Sequence, residues 1–196
     1  MTKKRIPILQ GNPDPGGHRY GHALARAYQE GALEVGHEVR SIDVATLEFP
    51  LLRTKEQWEK DAPPESIRGA QESIAWAEHM LVVYPLWLGS MPAMVKAFLE
   101  QALRPGFAIG KSSGAGMWAK ALTGKSAHVV VTMGMPAFVY RWWFRGHSLK
   151  SLERNILRFC GITPVRTSLI GNVESANPRG RKRWLEKMRA CGAEGR

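Results

Sequence analysis

The stretch MLVVYPLWLGSMPAMVKAFLEQ, residues Met80–Gln101, contains the pattern on which the fold prediction depends. It begins with an unbroken apolar run, Met80–Tyr84, which is typical of a strand buried on both faces of a parallel sheet. The run stops at Pro85, and a turn leads to Ser90, which we expect to cap the following helix. Strand, turn and helix in this order predict an open α/β sheet, in which ligands bind beyond the carboxyl ends of the strands.

The same alternation of strands and helices continues on both sides of this stretch. Further strands are predicted at Arg5–Gln10, Glu38–Val44, Ala127–Met133 and Val165–Ile170. Helices are predicted at His18–Val35, Pro64–Ala77, Ser148–Phe159 and from Pro178 onward, and a long loop at Arg104–Lys125. The small residues on the stripe of the first helix indicate that it lies close to the sheet. Five such units predict a single domain over residues 1–196. It is a three-layer α-β-α fold with a doubly wound, flavodoxin-like parallel sheet of five strands, in the order 2-1-3-4-5.

Composition excludes several classes of protein. The hydrophobic fraction is 44%, and no stretch approaches the roughly 20 apolar residues of a membrane span. The short apolar part that follows the basic start does not match a secretory signal. Two cysteines, Cys160 and Cys191, form neither a disulfide framework nor a metal-binding pattern. We therefore expect a soluble, cytoplasmic protein with no membrane span.

The charge is unusually basic, with 28 Lys and Arg against 17 Asp and Glu, a net charge of +11. Such a balance favours anionic partners, either nucleic acid or phosphorylated small molecules. The sequence has no nucleic-acid recognition motif, and its aromatic residues are not spread along a basic face. We therefore predict no nucleic-acid partner, and we interpret the dense run Arg179–Arg183 as the solvated face of a helix.

Three turns are expected to meet at the carboxyl edge of the sheet: Gly11–Gly17, Pro85–Ser90 and Thr132–Pro136. The N-terminus of the first helix follows the first turn and offers unpaired N–H groups, which suit a phosphate. The side chains of His18, Arg19 and Tyr20 could add donors there.

The other two turns combine apolar side chains with free backbone N–H groups, which suits a flat heterocycle with polar edges. The residues concerned are Pro85, Leu86, Trp87, Leu88, Thr132, Met133, Gly134 and Met135. The alternative is that Trp87 and Met135 only close the end of the sheet. His18 and His22 have a spacing found in zinc sites, but no third ligand lies near them in sequence, so we predict no metal.

Three motifs carry a resemblance to a known family. They are Gly11-Asn12-Pro13-Asp14-Pro15, Tyr84-Pro85-Leu86-Trp87 with Ser90-Met91-Pro92-Ala93, and Gly106-Phe107-Ala108. The chain resembles the flavodoxin-like NAD(P)H:quinone oxidoreductases, which include the modulator-of-drug-activity type and the potassium-efflux ancillary oxidoreductases. The resemblance extends from the first strand to about Gly161.

The resemblance implies an FMN cofactor, or alternatively FAD, with NAD(P)H as co-substrate. A hydride would pass from NAD(P)H to the flavin, and two electrons would then pass to a quinone in ping-pong turnover. The flavin ring would lie against Pro85–Leu88 and Thr132–Met135. Its phosphate would lie over His18–Tyr20, with Asn12 in the adjoining Asn-Pro loop. The resemblance also implies a homodimer.

The resemblance further matches Tyr140 and His147 to a tyrosine and a histidine that flank the flavin in quinone reductases. A phenol and an imidazole there would stabilise negative charge on the reduced ring, although ordinary packing is an alternative for both. Arg141 and Arg145 would either hold an NADPH phosphate or, with the aromatic residues between them, form a dimer contact.

The sequence thus predicts a flavin-dependent NAD(P)H oxidoreductase that acts on a quinone-like or other electrophilic acceptor. The alternative is a flavin-binding, redox-sensing regulatory subunit of a membrane transporter.

Overall fold

A computed structural model of the chain describes residues 2–110 and 118–196. Its strands are β1 (Arg5–Gln10), β2 (Glu38–Asp43), β3 (His79–Pro85), β4 (Ile109–Gly110), β5 (Ala119–Lys120), β6 (Ser126–Thr132) and β7 (Val165–Ile170). Five of them form one parallel sheet in the order β2-β1-β3-β6-β7, while β4 and β5 form a short antiparallel pair. With that pair set aside, the predicted order 2-1-3-4-5 is confirmed. The pair lies within the predicted loop Arg104–Lys125, of which residues 111–117 are outside the described part.

Helices cover both faces of this sheet. They are α1 (Tyr20–Glu34), α2 (Lys55–Glu59), α3 (Glu65–Trp76), α4 (Ala93–Ala102), α5 (His147–Lys150), α6 (Arg158–Cys160) and α7 (Pro178–Glu194). A π-helical segment, Ser151–Leu157, joins α5 to α6, so the helix predicted at Ser148–Phe159 is continuous but wider in its middle. A second π-helical turn occupies Val139–Trp143, and a 3-10 turn occupies Val44–Thr46.

The hydrophobic core has two parts, one on each face of the sheet. Strand β3 is buried from His79 to Tyr84, as its unbroken apolar run predicts. On one face, Leu81 and Val83 pack with Leu24 and Tyr28 of α1 and with Met188 of α7. On the other face, residues of α3, α4 and the helix before β7 enclose a larger apolar cluster. The three-layer prediction is confirmed.

Helices α1 and α7 cross at unusually close range. A Cβ added to Gly31 would overlap the carbonyl oxygen of Arg189, and one added to Gly192 would overlap the carbonyl oxygen of Tyr28. The small residues of α1 were expected to face the sheet, but Gly31 instead lies against α7. Glycine is required at both positions because the two backbones touch there.

Two predicted helix starts are wrong, each for a local reason. Helix α4 begins at Ala93 after an extended Pro92, so Ser90 is not its cap. The backbone of Ser90 instead exchanges hydrogen bonds of 2.8 and 2.9 Å with Trp87, which closes a tight turn. Helix α1 begins at Tyr20 rather than His18, because Arg19 is extended. Within residues 2–110 and 118–196, no helix has both the length and the apolar character needed to cross a membrane.

Candidate functional site

Three loops leave neighbouring strands at the carboxyl edge of the sheet, as predicted. We call them the first loop (Gly11–Arg19), the second loop (Pro85–Ser90) and the third loop (Met133–Met135). The Gly11 N–H donates to the Val83 carbonyl at 2.7 Å, and the Leu86 N–H donates to the Thr132 carbonyl at 2.7 Å. The first bond ties the first loop to the end of β3, and the second bond ties the second loop to the end of β6. The loops therefore start side by side at one edge of the sheet.

Gly11 lets the first loop lie directly on the end of β3. A Cβ at this position would approach the Val95 side chain to 2.8 Å, the Tyr84 Cβ to 3.0 Å and the Val83 carbonyl oxygen to 3.1 Å. Real Cβ atoms are not accommodated at such distances in a close-packed interior. The glycine therefore fixes the height of the first loop above the sheet.

The first loop is shaped by its own polar side chains. The Asn12 N–H donates to Gln10 Oε1 at 3.1 Å, and the Asp14 N–H donates to Asn12 Oδ1 at 3.0 Å. The Gly16 N–H donates to Asp14 Oδ1 at 2.9 Å. Such side-chain bonds to backbone groups two residues onward hold a turn in one conformation. Asn12, predicted to bind the cofactor, is buried and uses its side-chain oxygen to build the loop.

One ion pair crosses the first loop, between Arg19 Nε and Asp14 Oδ2 at 2.6 Å. The pKa of Asp14 is lowered, first by the hydrogen bond from the Gly16 N–H and then by the Arg19 side chain. Asp14 is therefore ionised at neutral pH, and it cancels part of the positive charge of Arg19. His18, next to Arg19, is exposed.

The N-terminus of α1 is open to an anion. Arg19 is its capping residue but makes no side-chain capping bond, and the first turn contains no acidic residue. The His22 N–H donates to the Arg19 carbonyl at 3.0 Å. The N–H groups of Tyr20 and Gly21 precede it and have no intrahelical acceptor, so they can bind an anion. Gln10 Nε2, at the end of β1, is a further buried donor with no partner in the described part of the chain.

Tyr20 is turned away from this opening. Its hydroxyl donates to the Arg181 carbonyl at 3.1 Å, and the Arg181 guanidinium lies 5.7 Å from the centre of its ring. Burial raises the pKa of Tyr20. Of the predicted phosphate contacts, Tyr20 can therefore offer its backbone N–H, whereas its side chain joins α1 to α7.

The second loop is closed by its own backbone, which corrects the prediction of free N–H groups along it. The N–H groups of Leu86 and Trp87 are bonded to Thr132 and Ser90. The tip consists of Leu88 and Gly89, both with left-handed backbone angles, φ 45° and φ 75°. Two such residues in succession form the tight turns that close hairpins. The side chains of Trp87 and Leu88 are exposed there as an apolar surface.

The third loop is bonded to the chain that follows β7. The Met133 N–H donates to the Ile170 carbonyl at 2.9 Å, while Met133 and Met135 accept from the N–H groups of Val173 and Asn172. The Met133 side chain is buried in the core, so its predicted position beside a ligand is not what the structure shows. Gly134 is exposed, whereas Met135 is half-buried and packs against the larger apolar cluster.

Tyr140 is buried, with only 2% of its surface exposed. Its hydroxyl lies 2.7 Å from Ser148 Oγ and accepts from the Leu149 N–H at 3.0 Å. Its carbonyl accepts from the Gly146 N–H at 3.0 Å. These bonds fix the start of α5, where His147 is exposed at the first position. The resemblance places the Tyr140 phenol beside a flavin. In the structure, this phenol instead holds the start of α5, the helix that carries His147.

We expect Tyr140→Phe to lower the free energy of unfolding by about 1–3 kcal/mol, because the buried Leu149 N–H loses its acceptor. Urea denaturation would measure this loss. The matched control is Tyr20→Phe, whose half-exposed hydroxyl bond should be worth less than about 1 kcal/mol. Equal stability of Tyr140→Phe and the wild type would show that the hydroxyl has no structural role.

Two buried polar residues beneath the loops were not predicted as site residues. Tyr84 is 1% exposed, and its hydroxyl has no partner in the described part of the chain. Burial raises the pKa of Tyr84 well above its ordinary value. Gln10 is the second such residue. Gln10 ends the apolar run of β1, and Tyr84 ends that of β3. The sequence around each residue therefore predicts only a buried strand and not a binding site. Within residues 2–110 and 118–196, no group of three or more His, Cys, Asp or Glu side chains could hold a metal ion.

Comparison with known proteins relates this geometry to a family. A family model described as a flavodoxin-like fold matches residues 4–190. A protein of Haemophilus influenzae, named an uncharacterized NAD(P)H oxidoreductase, is 28% identical over 171 residues, which cover 85% of this chain and 84% of that protein.

Solved structures share the fold at lower identity. The NAD(P)H:quinone oxidoreductase from Methanothermobacter marburgensis superimposes with a TM-score of 0.80 at 20% identity, over 98% of this chain and 97% of that one. An FMN-dependent NADH-azoreductase from Bacillus anthracis, solved in complex with FMN, has a TM-score of 0.75 at 14% identity and covers 99% of both chains.

Proposed function

Because the chain belongs to the flavodoxin-like family, we propose that it is a flavin-dependent NAD(P)H oxidoreductase that reduces quinone-like or other electrophilic acceptors. A bound FMN supplies two-electron redox chemistry between NAD(P)H and the acceptor, which use the site in turn, in ping-pong fashion. The observation that carries this proposal is the uncapped first turn of α1, which opens above buried Gln10 where three loops meet. The names of the relatives support the same activity.

The residues present fit an FMN. The first turn of α1 would receive the phosphate, with the exposed side chains of His18 and Arg19 as further hydrogen-bond donors. Trp87 of the second loop and Gly134 and Met135 of the third loop would receive the ring, because they combine apolar surface with exposed backbone. FAD, the alternative cofactor, would use the same contacts and extend beyond them.

His147 and Tyr140 have different roles in this proposal. The exposed imidazole of His147 would offer a hydrogen-bond donor to the negative charge that reduction places on the cofactor. Tyr140 acts through its hydrogen bonds to Ser148 and to the Leu149 N–H, and is therefore a positioning residue. A homodimer in the cytoplasm, as the family resemblance and composition predict, completes the proposal. Sedimentation velocity would test the assembly.

Titration of the purified protein with FMN and with FAD tests the cofactor directly. We expect saturable binding, seen as a perturbed visible absorption band, with FMN the tighter of the two. NADPH or NADH should then bleach the band, and a quinone should restore it. Flavin binding with negligible turnover would favour the regulatory alternative, and no binding of either flavin would refute the proposal.

We expect Trp87→Ala to weaken FMN affinity by roughly tenfold, because aromatic stacking contributes about 1–3 kcal/mol per ring. The matched control is Trp118→Ala. Trp118 is similarly exposed, 43% against 53%, but lies beside Trp58 near α2. Fluorescence titration would measure both affinities. Equal FMN affinity of the two variants would exclude the second loop from the site.

A further inference from the structure

The segment that follows the third loop presents an exposed aromatic surface. We call this part, Phe138–Arg145, the aromatic segment. Trp142 and Trp143 are 77% and 82% exposed, and Phe138 and Phe144 are at least half exposed. Four large aromatic side chains this exposed within seven residues are far more than the scattered apolar residues of an ordinary surface, and such patches mark interaction sites.

The aromatic side chains are held in place by a rigid base. Val139–Trp143 form a π-helical turn, whose Tyr140 is buried and fully bonded on its inner side. The segment ends at Arg145 and is followed by Gly146, and both residues are left-handed, with φ 53° and φ 58°. A left-handed arginine is strained and persists only where the surroundings impose it. The aromatic residues are therefore presented by an ordered structure.

Positive charge surrounds the aromatic side chains. Arg141 directly precedes Trp142, Arg145 directly follows Phe144, and both arginines are exposed. Both line an open groove of about 1070 Å³, which Lys150 and Lys187 also line. The carboxylate that lines this groove, Glu153, is paired with Arg158 at 2.6 Å. Within the described residues, Glu153 is thus already paired outside the groove and does not neutralise the arginines and lysines that line it.

The charge decides which partner fits. A two-fold dimer through this surface would bury the same patch on both subunits, which would bring the cations of both copies into one interface. A bilayer with anionic headgroups offers the complementary charge. Trp and Phe favour the boundary between headgroups and acyl chains, while Arg binds lipid phosphate. The net charge of +11 adds long-range attraction.

We propose that the aromatic segment docks the protein onto the surface of membranes that contain anionic lipid. Trp142 and Trp143 enter the headgroup region, and Arg141 and Arg145 bind lipid phosphates. This docking is peripheral and reversible. It does not depend on the proposed enzymatic function, since no flavin contact is needed for it.

Vesicle flotation tests the docking. The full chain, with and without FMN, is mixed with phosphatidylcholine vesicles that contain or lack phosphatidylglycerol. We expect flotation with the anionic vesicles alone, and weaker binding at high salt because the exposed charges are screened. Trp142→Ser with Trp143→Ser should weaken binding by at least about tenfold, since the two indoles that enter the headgroup region are lost.

Arg141→Gln with Arg145→Gln should weaken binding roughly 30-fold at low salt, at about fivefold for each arginine near the surface. The matched control is Arg26→Gln with Arg53→Gln, which removes the same charge from α1 and from the segment before α2. The control should keep most of the affinity. Equal losses in both arginine pairs, or no flotation of the wild type, would overturn the proposal. A concentration-dependent dimer that the Trp142 and Trp143 changes dissociate would assign the surface to a second copy instead.

Discussion

Gly192→Ala is expected to cost about 3 kcal/mol of unfolding free energy, near the upper end for overpacking by a single methyl group. The added Cβ would overlap the Tyr28 carbonyl oxygen, which belongs to the backbone of α1 and cannot rotate away. Helices α1 and α7 would have to separate. That movement would loosen the packing of Met188 against Leu24 and Tyr28, which belong to the same buried cluster.

Gly69→Ala is the matched control for this change. Gly69 lies inside α3, and a Cβ there would meet nothing within 4 Å. The same substitution should stabilise the protein by up to about 1 kcal/mol, because alanine has the higher helix propensity. Urea denaturation of both variants would measure the difference. If Gly192→Ala were as stable as the wild type, the close crossing of α1 and α7 would be disproved.

Acid should destabilise the protein through two histidines at the opposite end of the sheet from the loops. Burial lowers the pKa of His79 to about 3 and that of His128 to about 4. Each imidazole bonds a serine hydroxyl, His79 to Ser126 at 2.7 Å and His128 to Ser168 at 2.9 Å. Because the unfolded chain binds these protons more readily, stability is complete above about pH 6.5 and falls as the pH decreases.

The size of the acid effect follows from the two depressed pKa values. At pH 5 each histidine should remove about 2 kcal/mol from the free energy of unfolding, or about 4 kcal/mol together. Urea denaturation at about pH 7 and pH 5 would measure this decline. His79→Gln with His128→Gln removes both titrations and should flatten the curve. A double variant that declines as steeply as the wild type would show that carboxylates alone cause the acid sensitivity.

The fold was largely predictable because its central strands carry a strong local signal. The run Met80–Tyr84 is apolar without interruption, as is the shorter run Val129–Val131 in β6. In a parallel sheet only strands covered on both faces have that character. The bounds of β1 and β7 were predicted to the residue. The start of α4 was not, because Ser90 is a good capping residue in isolation but is drawn into the turn with Trp87.

The location of the site at the carboxyl edge of the sheet was predictable from the sequence, but the hydrogen bonds within its loops were not. Parallel strand order brings the three loops together whatever their detailed conformation. Which backbone N–H groups remain free depends on partners distant in sequence, such as Thr132 for Leu86 and Ile170 for Met133. The same is true of Gly31, whose neighbour α7 lies more than 140 residues away. Local pattern carries no information about such contacts.

The third loop has a consequence for engineering that the second loop does not share. It is bonded to the connection after β7, and a Cβ on Gly171 would lie 2.6 Å from the Met135 carbonyl oxygen. A designer who lengthens or replaces the third loop must therefore redesign that connection as well. The second loop closes on itself through Trp87 and Ser90, so its tip at Leu88 and Gly89 can be exchanged while Trp87 and the bond from Leu86 to Thr132 are kept.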